Sequence, residues 1–446
     1  MAAVPVRLAA PPTVAAVGVP EQARTPTGRP HRLLLLAPPG SYRTVPYLRA
    51  AERLGVEAVV ASTGRHPLIG GPGGLNLDLP DLDRSLQTLL NAASDQRFDA
   101  VISTDDLTVD LAAHVAQALE LPGNTPGAAR LARRKDLARS CLAEAGLPVP
   151  EHRVVDLRRP FVDQVDGFPF PCVIKPLALS GSRGVIRADS PEALEALRLR
   201  VAAIAADAPF PEERHHALLE AYLPGFEVAL EGLLDAGKLE VLALFDKPDP
   251  LEGPYFEETY YITPSRHPMA LQRRAAARVA EACRAYGLRE GPVHAELRLH
   301  DGEAWLLEVA ARTIGGECAR LLRVGVESGL EERVIGQALG QAVSAVPAVD
   351  AAGVLMLPTP RRGVLRRVEG VLEASRVPGI EAVEISVREG YELVPLPEGE
   401  SYLGFIFARA ATPAAAEKAL RRAYACLRVV TAPVLHRGRV VAATET

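Results

Sequence analysis

Residues 292–320 read PVHAELRLHDGEAWLLEVAARTIGGECAR. Apolar and polar residues alternate from Val293 to His300, Asp301-Gly302 indicates a turn, and residues 304–309 are apolar apart from Glu308. This pattern predicts two antiparallel strands, a loop and the start of a helix.

Two acids on the predicted hairpin indicate a metal site. A carboxylate in an apolar run is costly to bury unless it is paired, and a divalent cation is one such partner. Glu296 and Glu308 are an even number of residues apart, so an odd loop, such as residues 301–303 with a bulge at Gly302, sets them opposite each other. A two-residue Asp-Gly loop would put them on opposite faces. We predict the odd loop and a shared Mg²⁺ site; the alternative is two unrelated strand acids, one of them capped by a surface cation.

Composition places the chain among globular proteins. Its 446 residues suffice for two to four domains, and it is 48% hydrophobic and 24% charged. The formal charge of −5 gives no reason to expect a nucleic-acid partner. Five scattered cysteines without a C-x-x-C pair indicate neither a disulfide framework nor a thiolate zinc site, so a cytoplasmic setting is expected.

The first thirty residues are rich in alanine, valine and proline. The prolines oppose a helix, and the uninterrupted apolar core of a signal peptide is missing, so residues 1–30 are predicted to be a disordered tail. No apolar run in the sequence approaches the length of a membrane span, so no membrane partner is expected.

Residues 31–125 show the alternation of a half-Rossmann domain. Predicted strands at 32–37, 55–61 and 98–103 are joined by predicted helices that include 47–54 and 107–119. The sequence contains no G-x-x-x-x-G-K-[ST] motif, and no G-x-G-x-x-G opens a helix after the first strand. The glycine run at 70–74 is therefore interpreted as a loop.

A lysine and a glycine-rich stretch indicate a phosphate site in the next region. Lys175 ends a strongly apolar strand, where a charge is unusual, and residues 180–184 read SGSRG, which suits a loop whose N–H groups close over phosphates. Alone, this stretch would be an ordinary flexible loop. Lys135 lies in a basic helix predicted at 128–145, where the default is a solvated face.

Residues 216–235 predict a strand into Glu220, a connector at 223–225 and a second strand from Glu227. The connector's backbone could read a base edge with both acids near a ribose, or the segment is simply a bent hairpin. After Gly340 the composition shifts, and residues 346–446 are predicted to form a separate α+β cap.

In this order the motifs resemble the ATP-grasp superfamily over residues 31–340. The EVAARTIGG ending at 308–316 and the C-terminal region resemble its L-amino-acid ligase branch, related to dipeptide synthetases and carnosine synthase. The resemblance implies a mixed α/β and α+β ATP-grasp fold. It comprises a half-Rossmann pre-ATP-grasp domain at 31–125, an ATP-grasp domain at 126–345 with a lid at about 126–218 and a core at 219–345, and the cap at 346–446.

The resemblance also implies which residues bind ATP. They are Lys135 and Lys175 for the phosphates, Ser180, Gly181, Ser182 and Gly184 for a flap, Glu220, Tyr222 and Leu223 for adenine, and Glu227 for the ribose hydroxyls.

For the metal, the resemblance implies Glu296 and Glu308 as ligands of one or two Mg²⁺ ions, with Mn²⁺ as a substitute. Many ATP-grasp enzymes carry an asparagine two residues after the second metal glutamate, where this chain has Ala310. A second metal ion would therefore lack one protein ligand, or water would replace it.

For the chemistry, the resemblance implies that Arg312 stabilises the transferring phosphoryl group. The N–H groups of Gly315 and Gly316, at a helix start, would assist it. The substrate side would be lined by Asp246, Lys247, Glu258 and His294, with Glu258 pairing with an amino group.

The implied function is an ATP-dependent carboxylate–amine ligase that forms an amide, in particular a peptide bond, through an acyl phosphate. Its partners would be a small carboxylate and an amine, and a homodimer is compatible with the resemblance. Two alternatives stay open: a carboxylase or purine-pathway-type ligase, and a nucleotide-binding regulatory or scaffold protein. The chain lacks the Met-Lys-Met segment of a biotin acceptor, and Arg312 beside two metal acids argues against a mere binder.

Overall fold

The computed structural model describes residues 28–64, 74–322, 329–341 and 350–434. The predicted tail, up to residue 27, and the glycine run, up to residue 73, lie outside these ranges. Within them, no helix is both long enough and apolar enough to cross a membrane.

The N-terminal region is the predicted half-Rossmann layer. Its elements are β1 (Arg32–Leu36), α1 (Thr44–Arg53), β2 (Glu57–Thr63), β3 (Leu75–Leu77), α2 (Leu82–Asp95), β4 (Ala100–Ser103) and α3 (Asp106–Ala118). The four strands are parallel in the order β3-β2-β1-β4. Leu33, Leu34, Leu35 and Leu36 are fully buried, as expected for a strand covered on both faces.

The basic helix predicted at 128–145 is instead two helices, α4 (Pro126–Arg133) and α5 (Lys135–Glu144). Arg134 between them is extended, with φ −94° and ψ 106°. The Lys135 N–H donates to the Leu177 carbonyl at 2.9 Å and not to a helical carbonyl. The break places Lys135 at the first turn of α5, beside the lid.

The region predicted as the lid contains a four-stranded antiparallel sheet with one covering helix, and its last strand extends beyond the predicted bound at 218. Its elements are β5 (His152–Asp156), β6 (Cys172–Pro176), β7 (Ile186–Ala188), α6 (Pro191–Ala205) and β8 (His216–Ala221). The strand order is β5-β8-β6-β7. Phe161, Ile174 and Leu194 form part of the core between sheet and helix.

The core and much of the C-terminal region share one eight-stranded sheet. The elements of this half are β9 (Phe226–Asp235), β10 (Lys238–Lys247), β11 (Tyr260–Thr263), α7 (Met269–Tyr286), β12 (Gly291–His300), β13 (Glu303–Ala310), α8 (Leu330–Ala338), β14 (Ala351–Leu357), β15 (Gly363–Glu369), α9 (Val371–Ser375), β16 (Ile380–Ile385), β17 (Glu392–Leu393), β18 (Gly404–Ala410), α10 (Pro413–Cys426) and β19 (Arg428–Ala432). The order of the large sheet is β13-β12-β9-β10-β11-β14-β18-β16, and β17-β15-β19 form a small sheet beside it. The boundary proposed at residue 346 therefore falls within a continuous sheet, because β11 pairs with β14.

The hairpin of β12 and β13 pairs the two predicted metal acids, but not through the predicted odd loop. His300 pairs with Glu303, so the loop is the two residues Asp301-Gly302, both at positive φ. The ladder shifts where Glu296 pairs with Glu308 while Leu297 pairs with Leu306, which leaves Leu307 as an extra residue. The predicted loop is wrong, and this β-bulge restores the predicted pairing.

Candidate functional site

A cavity lies between the lid and the core sheet. Its lining is Lys135, Val173, Lys175, Ser182, Val185, Glu220, Ala221, Tyr222, Leu223, Glu227, Phe256, Glu296, Arg298, Leu307 and Glu308. Most of the residues predicted to bind nucleotide and metal are therefore gathered in one space. Of the predicted flap, Ser182 lines the cavity, whereas Ser180 and Gly181 are exposed and Gly184 is buried in the lid.

Two lysines enter the cavity from different elements. Lys135 Nζ lies 3.2 Å from Glu308 Oε2 and donates to the Leu179 carbonyl at 3.0 Å. Lys175, at the end of β6, forms an ion pair with Glu220. Two ammonium groups thus face one space, an arrangement that suits a polyphosphate.

Glu220, predicted for adenine, lines the cavity and forms an ion pair with Lys175. Its carboxylate is 2% exposed and also accepts from Arg139 Nε at 2.5 Å. Arg139 in turn donates to the carbonyls of Leu306 and Leu307, both at 2.8 Å, which fixes the bulge. Burial alone would raise the pKa of Glu220, but the charges of Arg139 and Lys175 lower it to about 2.

We expect Glu220→Gln to destabilise the protein by about 3 kcal/mol at pH 7, because it leaves two buried cations without their carboxylate. The folded pKa, about 2, lies below the ordinary 4.5, so this contribution is complete above pH 4.5 and is lost as the pH falls toward 2. In urea unfolding, the gap between the unfolding free energies of the variant and the parent protein should narrow by about 1 kcal/mol from pH 7 to pH 4. Glu144→Gln, at an exposed position of α5, is the control; a gap that does not change with pH would contradict the assignment.

Aromatic rings and a buried arginine border the part of the cavity predicted to hold the base. The Arg187 guanidinium lies 4.5 Å from the centre of the Tyr222 ring, which stacks with Phe256 at 6.4 Å. Arg298, which sequence reasoning did not single out, is buried and lies 3.1 Å from Glu227 Oε2. The Tyr222 N–H already donates to the Pro171 carbonyl at 3.0 Å. That backbone donor is therefore engaged within the protein.

Three carboxylates surround the Lys247 ammonium. Glu227, Glu258 and Glu296 each offer an oxygen within 4.8 Å of the others, and Lys247 Nζ lies 2.8, 2.5 and 3.1 Å from them respectively. Glu227, predicted for the ribose, belongs to this cluster. Burial raises the pKa of Glu258, and the charge of Glu296 beside it raises this pKa further, to about 8. The positive charge of Lys247 lowers the pKa but does not cancel these two effects.

A chain of polar contacts connects these acids to the loop that follows β13. His294 Nε2 lies 3.6 Å from Glu296 Oε1, and its Nδ1 lies 3.4 Å from Glu231 Oε2. Glu231, which was not predicted, is fully buried and accepts from the Ile314 N–H at 3.2 Å. Burial opposes the charged imidazole, yet the two carboxylates raise the pKa of His294 above its usual value. His294 therefore bridges two acids in this structure.

Arg312 is held by the N-terminal region. Its Nε donates to Asp106 Oδ2 at 2.9 Å, and its Nη1 donates to the Thr313 carbonyl at 3.1 Å. Both charged side chains are nearly buried. Burial opposes the charge of Asp106, but Arg312 keeps the pKa of that carboxyl below its usual value. The guanidinium is thus fixed before any substrate arrives.

The glycines at 315 and 316 are not at the start of an α-helix. A short 3-10 turn, Cys318–Leu322, follows them, and the Gly316 N–H donates to the Tyr42 hydroxyl at 2.8 Å. Gly316 has φ +60°, and a Cβ there would lie 2.1 Å from Met356 Sδ. The tight packing explains the glycine, and the helix start predicted at this position is wrong.

Asp246 is not brought to the cavity. It neighbours Lys247 on β10, so the two side chains point to opposite faces of the sheet. Asp246 accepts from the Arg266 N–H at 2.9 Å, on the side of α10.

The contacts that sequence reasoning missed follow the carboxyl ends of β1 and β4. Tyr42 and Arg43 come after β1, Asp106 comes after β4, and these two parallel strands are neighbours. Arg43 Nε donates to the Ile314 carbonyl at 3.3 Å. Polar residues after adjacent parallel strands commonly meet at a ligand site, and that rule could have identified them.

The residues present fit a divalent cation. Glu296 and Glu308 are directly paired across β12 and β13, which brings their side chains about 5 Å apart at Cβ. Carboxylate oxygens are the ligands that Mg²⁺ prefers. Burial is the larger cause of the raised pKa of Glu258, and the charge of Glu296 adds to it. A cation between Glu296 and Glu308 would offset that charge of Glu296.

Comparison with known proteins gives consistent results along the chain. Family models match for the ATP-grasp N-terminal domain at residues 48–123, the ATP-grasp domain at 168–320 and the L-amino acid ligase C-terminal domain 2 at 355–432. The crystal structure of L-amino acid ligase from Bacillus licheniformis is similar, with a TM-score of 0.75 at 24% identity over 91% of this chain and 100% of that one. This likeness supports the ATP-grasp fold predicted from the sequence.

Curated relatives extend the match. The chain is 25% identical to the uncharacterized protein y4rH of Sinorhizobium fredii, over 89% of this chain and 77% of that one. It is 30% identical to a D-alanine–D-alanine ligase of Gluconobacter oxydans, over 53% of this chain and 76% of that one. It is also 30% identical to carnosine synthase 1 of Gallus gallus over 49% of this chain, but spans only 25% of that protein. The chain therefore belongs to the ATP-grasp carboxylate–amine ligases, enzymes that form C–N bonds and bind ATP with Mg²⁺ or Mn²⁺.

Proposed function

We propose that this protein joins the carboxylate of one amino acid to the amine of another through an acyl phosphate, releasing ADP and phosphate. The observation that carries the proposal is the position of Arg312. It follows the metal-acid strand β13 by two residues and is fixed by a buried pair with Asp106. A binding protein would need the cavity but not a buried guanidinium directly after the strand of the metal acids.

The reaction has two displacements. A carboxylate oxygen attacks the γ-phosphorus of ATP and ADP leaves, which gives the acyl phosphate. The amine then attacks the carbonyl carbon, phosphate leaves, and the nitrogen loses a proton. Charge develops on the phosphoryl oxygens in the first step and on the carbonyl oxygen in the second, so the enzyme needs fixed positive groups at both places.

Lys135, Lys175 and Arg312 are proposed to supply these groups. The two lysines project into the cavity from α5 and β6, and Glu308 and Glu220 hold them in place. Arg312 lies beyond the metal acids, where its burial in a low-dielectric setting strengthens its effect on developing charge.

Glu296 and Glu308 are proposed to hold Mg²⁺, which would neutralise the phosphate oxygens and polarise the transferring group. Ala310 is fully buried and offers no ligand atom. A second ion would therefore bind with one protein ligand fewer, water taking that position.

The amino-acid substrate is proposed to bind beside Glu258. Its carboxylate belongs to the cluster around Lys247 and retains some exposure, 15% of the side chain. The carboxyl oxygens of this cluster can accept hydrogen bonds from an incoming amino group. The substrate and metal acids are then neighbours, as acyl transfer requires.

The test is to offer amino acids, singly and in pairs, to the purified protein with ATP and Mg²⁺ and to measure ADP release. We expect ADP release to depend on the amino acids supplied. Release that needs two amino acids, with a dipeptide detected by mass spectrometry, supports ligation. Hydroxylamine provides a second readout, because it converts an acyl phosphate to a hydroxamate whatever the natural amine is. Release that needs bicarbonate would favour a carboxylase, and ATP binding without release under any condition would favour a scaffold. The homodimer stays a prediction for light scattering to test.

A further inference from the structure

The C-terminal region contacts the glycine-rich flap directly. The Gly184 N–H donates to the Pro397 carbonyl at 2.9 Å, and Arg183 Nε donates to the Glu398 carbonyl at 3.1 Å. Arg183 Nη1 also donates to Glu400 Oε2 at 3.3 Å. Three contacts thus connect residues 397–400, defined here as the latch segment, to residues more than two hundred positions earlier in the chain.

The latch segment is also anchored to the lid helix α6. Arg200 Nε donates to Glu398 Oε1 at 2.5 Å and Nη2 donates to Oε2 at 3.1 Å, a two-point pair with fixed geometry. Arg200 Nη1 donates to the Tyr255 hydroxyl at 2.6 Å. The hydrogen bonds from Arg200 lower the pKa of Glu398, so the pair is charged at neutral pH. Glu398 therefore contacts both the flap, through Arg183, and helix α6, through Arg200.

The flap has little freedom at the point where the latch segment holds it. Gly184 is buried at φ +73°, and a Cβ there would lie 2.6 Å from Pro176 Cγ. Ser182, two residues earlier, lines the nucleotide cavity. Because two residues of extended chain span only about 7 Å, fixing Gly184 restricts where Ser182 can lie.

We propose that residues 397–400 are a latch that holds the glycine-rich flap closed over the nucleotide, with Arg200 and Glu398 as positioning residues. The role of the latch in the reaction rests on the proposed function: a closed flap would keep water from the acyl phosphate. If water reaches it, the water oxygen attacks the carbonyl carbon, phosphate leaves and the free carboxylate re-forms. ATP is then consumed without ligation.

The latch is weak enough to open for nucleotide exchange. The Arg200 and Glu398 side chains are 39% and 42% exposed, and ion pairs with that exposure contribute little and are screened by salt. The Gly184 hydrogen bond is a single neutral contact. Opening is therefore easy, and removing one member of the pair should shift the flap without unfolding the protein.

Hydrogen–deuterium exchange of the intact protein with a non-hydrolysable ATP analogue and Mg²⁺ tests the latch without any substrate. Arg200→Gln and Glu398→Gln should each speed exchange in the peptide covering residues 180–188 about two- to fivefold. The double variant Arg200→Glu with Glu398→Arg, which swaps the two charges, should return the exchange rate of this peptide toward that of the parent protein. Glu392→Gln is the matched control, since Glu392 is an exposed acid of the same region, paired with Arg362 at 2.7 Å. Unchanged exchange in both single variants would overturn the latch and leave the proposed function standing.

The ratio of phosphate released to amide formed gives the functional readout. Glu398→Gln should raise this ratio about two- to fivefold over the parent, in proportion to the exchange rate, while the Glu392→Gln ratio stays unchanged. A raised exchange rate with an unchanged ratio would overturn the protective role. If no acid–amine pair gives an amide with the parent protein, the proposed function fails, whereas the exchange result still decides whether the latch exists.

Discussion

Arg312→Ala should lower kcat at least about 100-fold while ATP affinity changes by no more than a few fold. Asp106 fixes the guanidinium, and in the proposed mechanism its charge acts on groups that become negative during the reaction. Interactions made only in the transition state affect kcat and leave ground-state binding almost unaltered. Single-turnover acyl phosphate formation, measured as hydroxamate, and ATP titration by fluorescence provide the two quantities.

A folding control is needed because Arg312 and Asp106 are a buried pair. Removing the arginine alone leaves Asp106 without its counter-charge, which costs several kcal/mol in comparable cases. Arg312→Ala combined with Asp106→Asn removes both charges and should recover most of the thermal stability but none of the activity. If the double variant regains turnover together with stability, the role of Arg312 is structural and not chemical.

The hairpin shows how far sequence reasoning reached. The prediction that Glu296 and Glu308 face each other is confirmed, but their even spacing is not the reason: with a two-residue loop, the β-bulge at Leu307 sets them opposite. The loop prediction failed because Asp-Gly adopts its preferred two-residue turn and the extra residue moves to Leu307. Arg139 donates to the Leu306 and Leu307 carbonyls, and this contact from α5 is invisible in the sequence of the hairpin.

Long-range contacts explain the remaining misses. Asp106 and Arg312 are 206 positions apart, and the Gly316–Tyr42 contact spans 274 positions. Periodicity and spacing report on neighbours within an element, whereas such contacts depend on how the half-Rossmann layer docks against the core. The same limit applies to residues 346–446, which were predicted as a separate α+β cap: that β14 extends the core sheet through β11 follows only from tertiary pairing.

Glu220 illustrates a different difficulty. The sequence predicted it as an adenine-binding residue; the structure places it in the lining of the cavity and pairs it with Lys175, and its role toward a nucleotide stays a prediction. The role of a buried acid can be assigned only when its partners are known. One partner of Glu220 is Arg139, which lies 81 positions earlier in the chain and cannot be identified from the sequence around Glu220. Residue type and strand position therefore locate a site more reliably than they assign roles within it.

Glu296→Gln should reduce turnover at least about 100-fold and raise the Mg²⁺ concentration needed for half-maximal activity. Glutamine keeps the size of the side chain but removes the charge that a divalent ion requires. Glu303→Gln is the matched control: it lies on β13 at the exposed end of the same hairpin, paired with Arg274. Chelation of the metal should abolish turnover of the parent protein, and added Mg²⁺ should restore it.

The metal dependence separates a ligand from a residue that merely positions Lys247. Glu296 lies 3.1 Å from Lys247 Nζ, so its removal also loosens the carboxylate cluster. Loss of the cluster alone would lower kcat at every Mg²⁺ concentration and leave the half-saturating concentration unchanged. Loss of a ligand raises the half-saturating Mg²⁺ concentration. The same rise in Glu308→Gln would indicate that both acids bind one ion. If Glu296→Gln keeps the parent's Mg²⁺ requirement while Glu308→Gln changes it, the ion is held from β13 alone and Glu296 belongs to the substrate side.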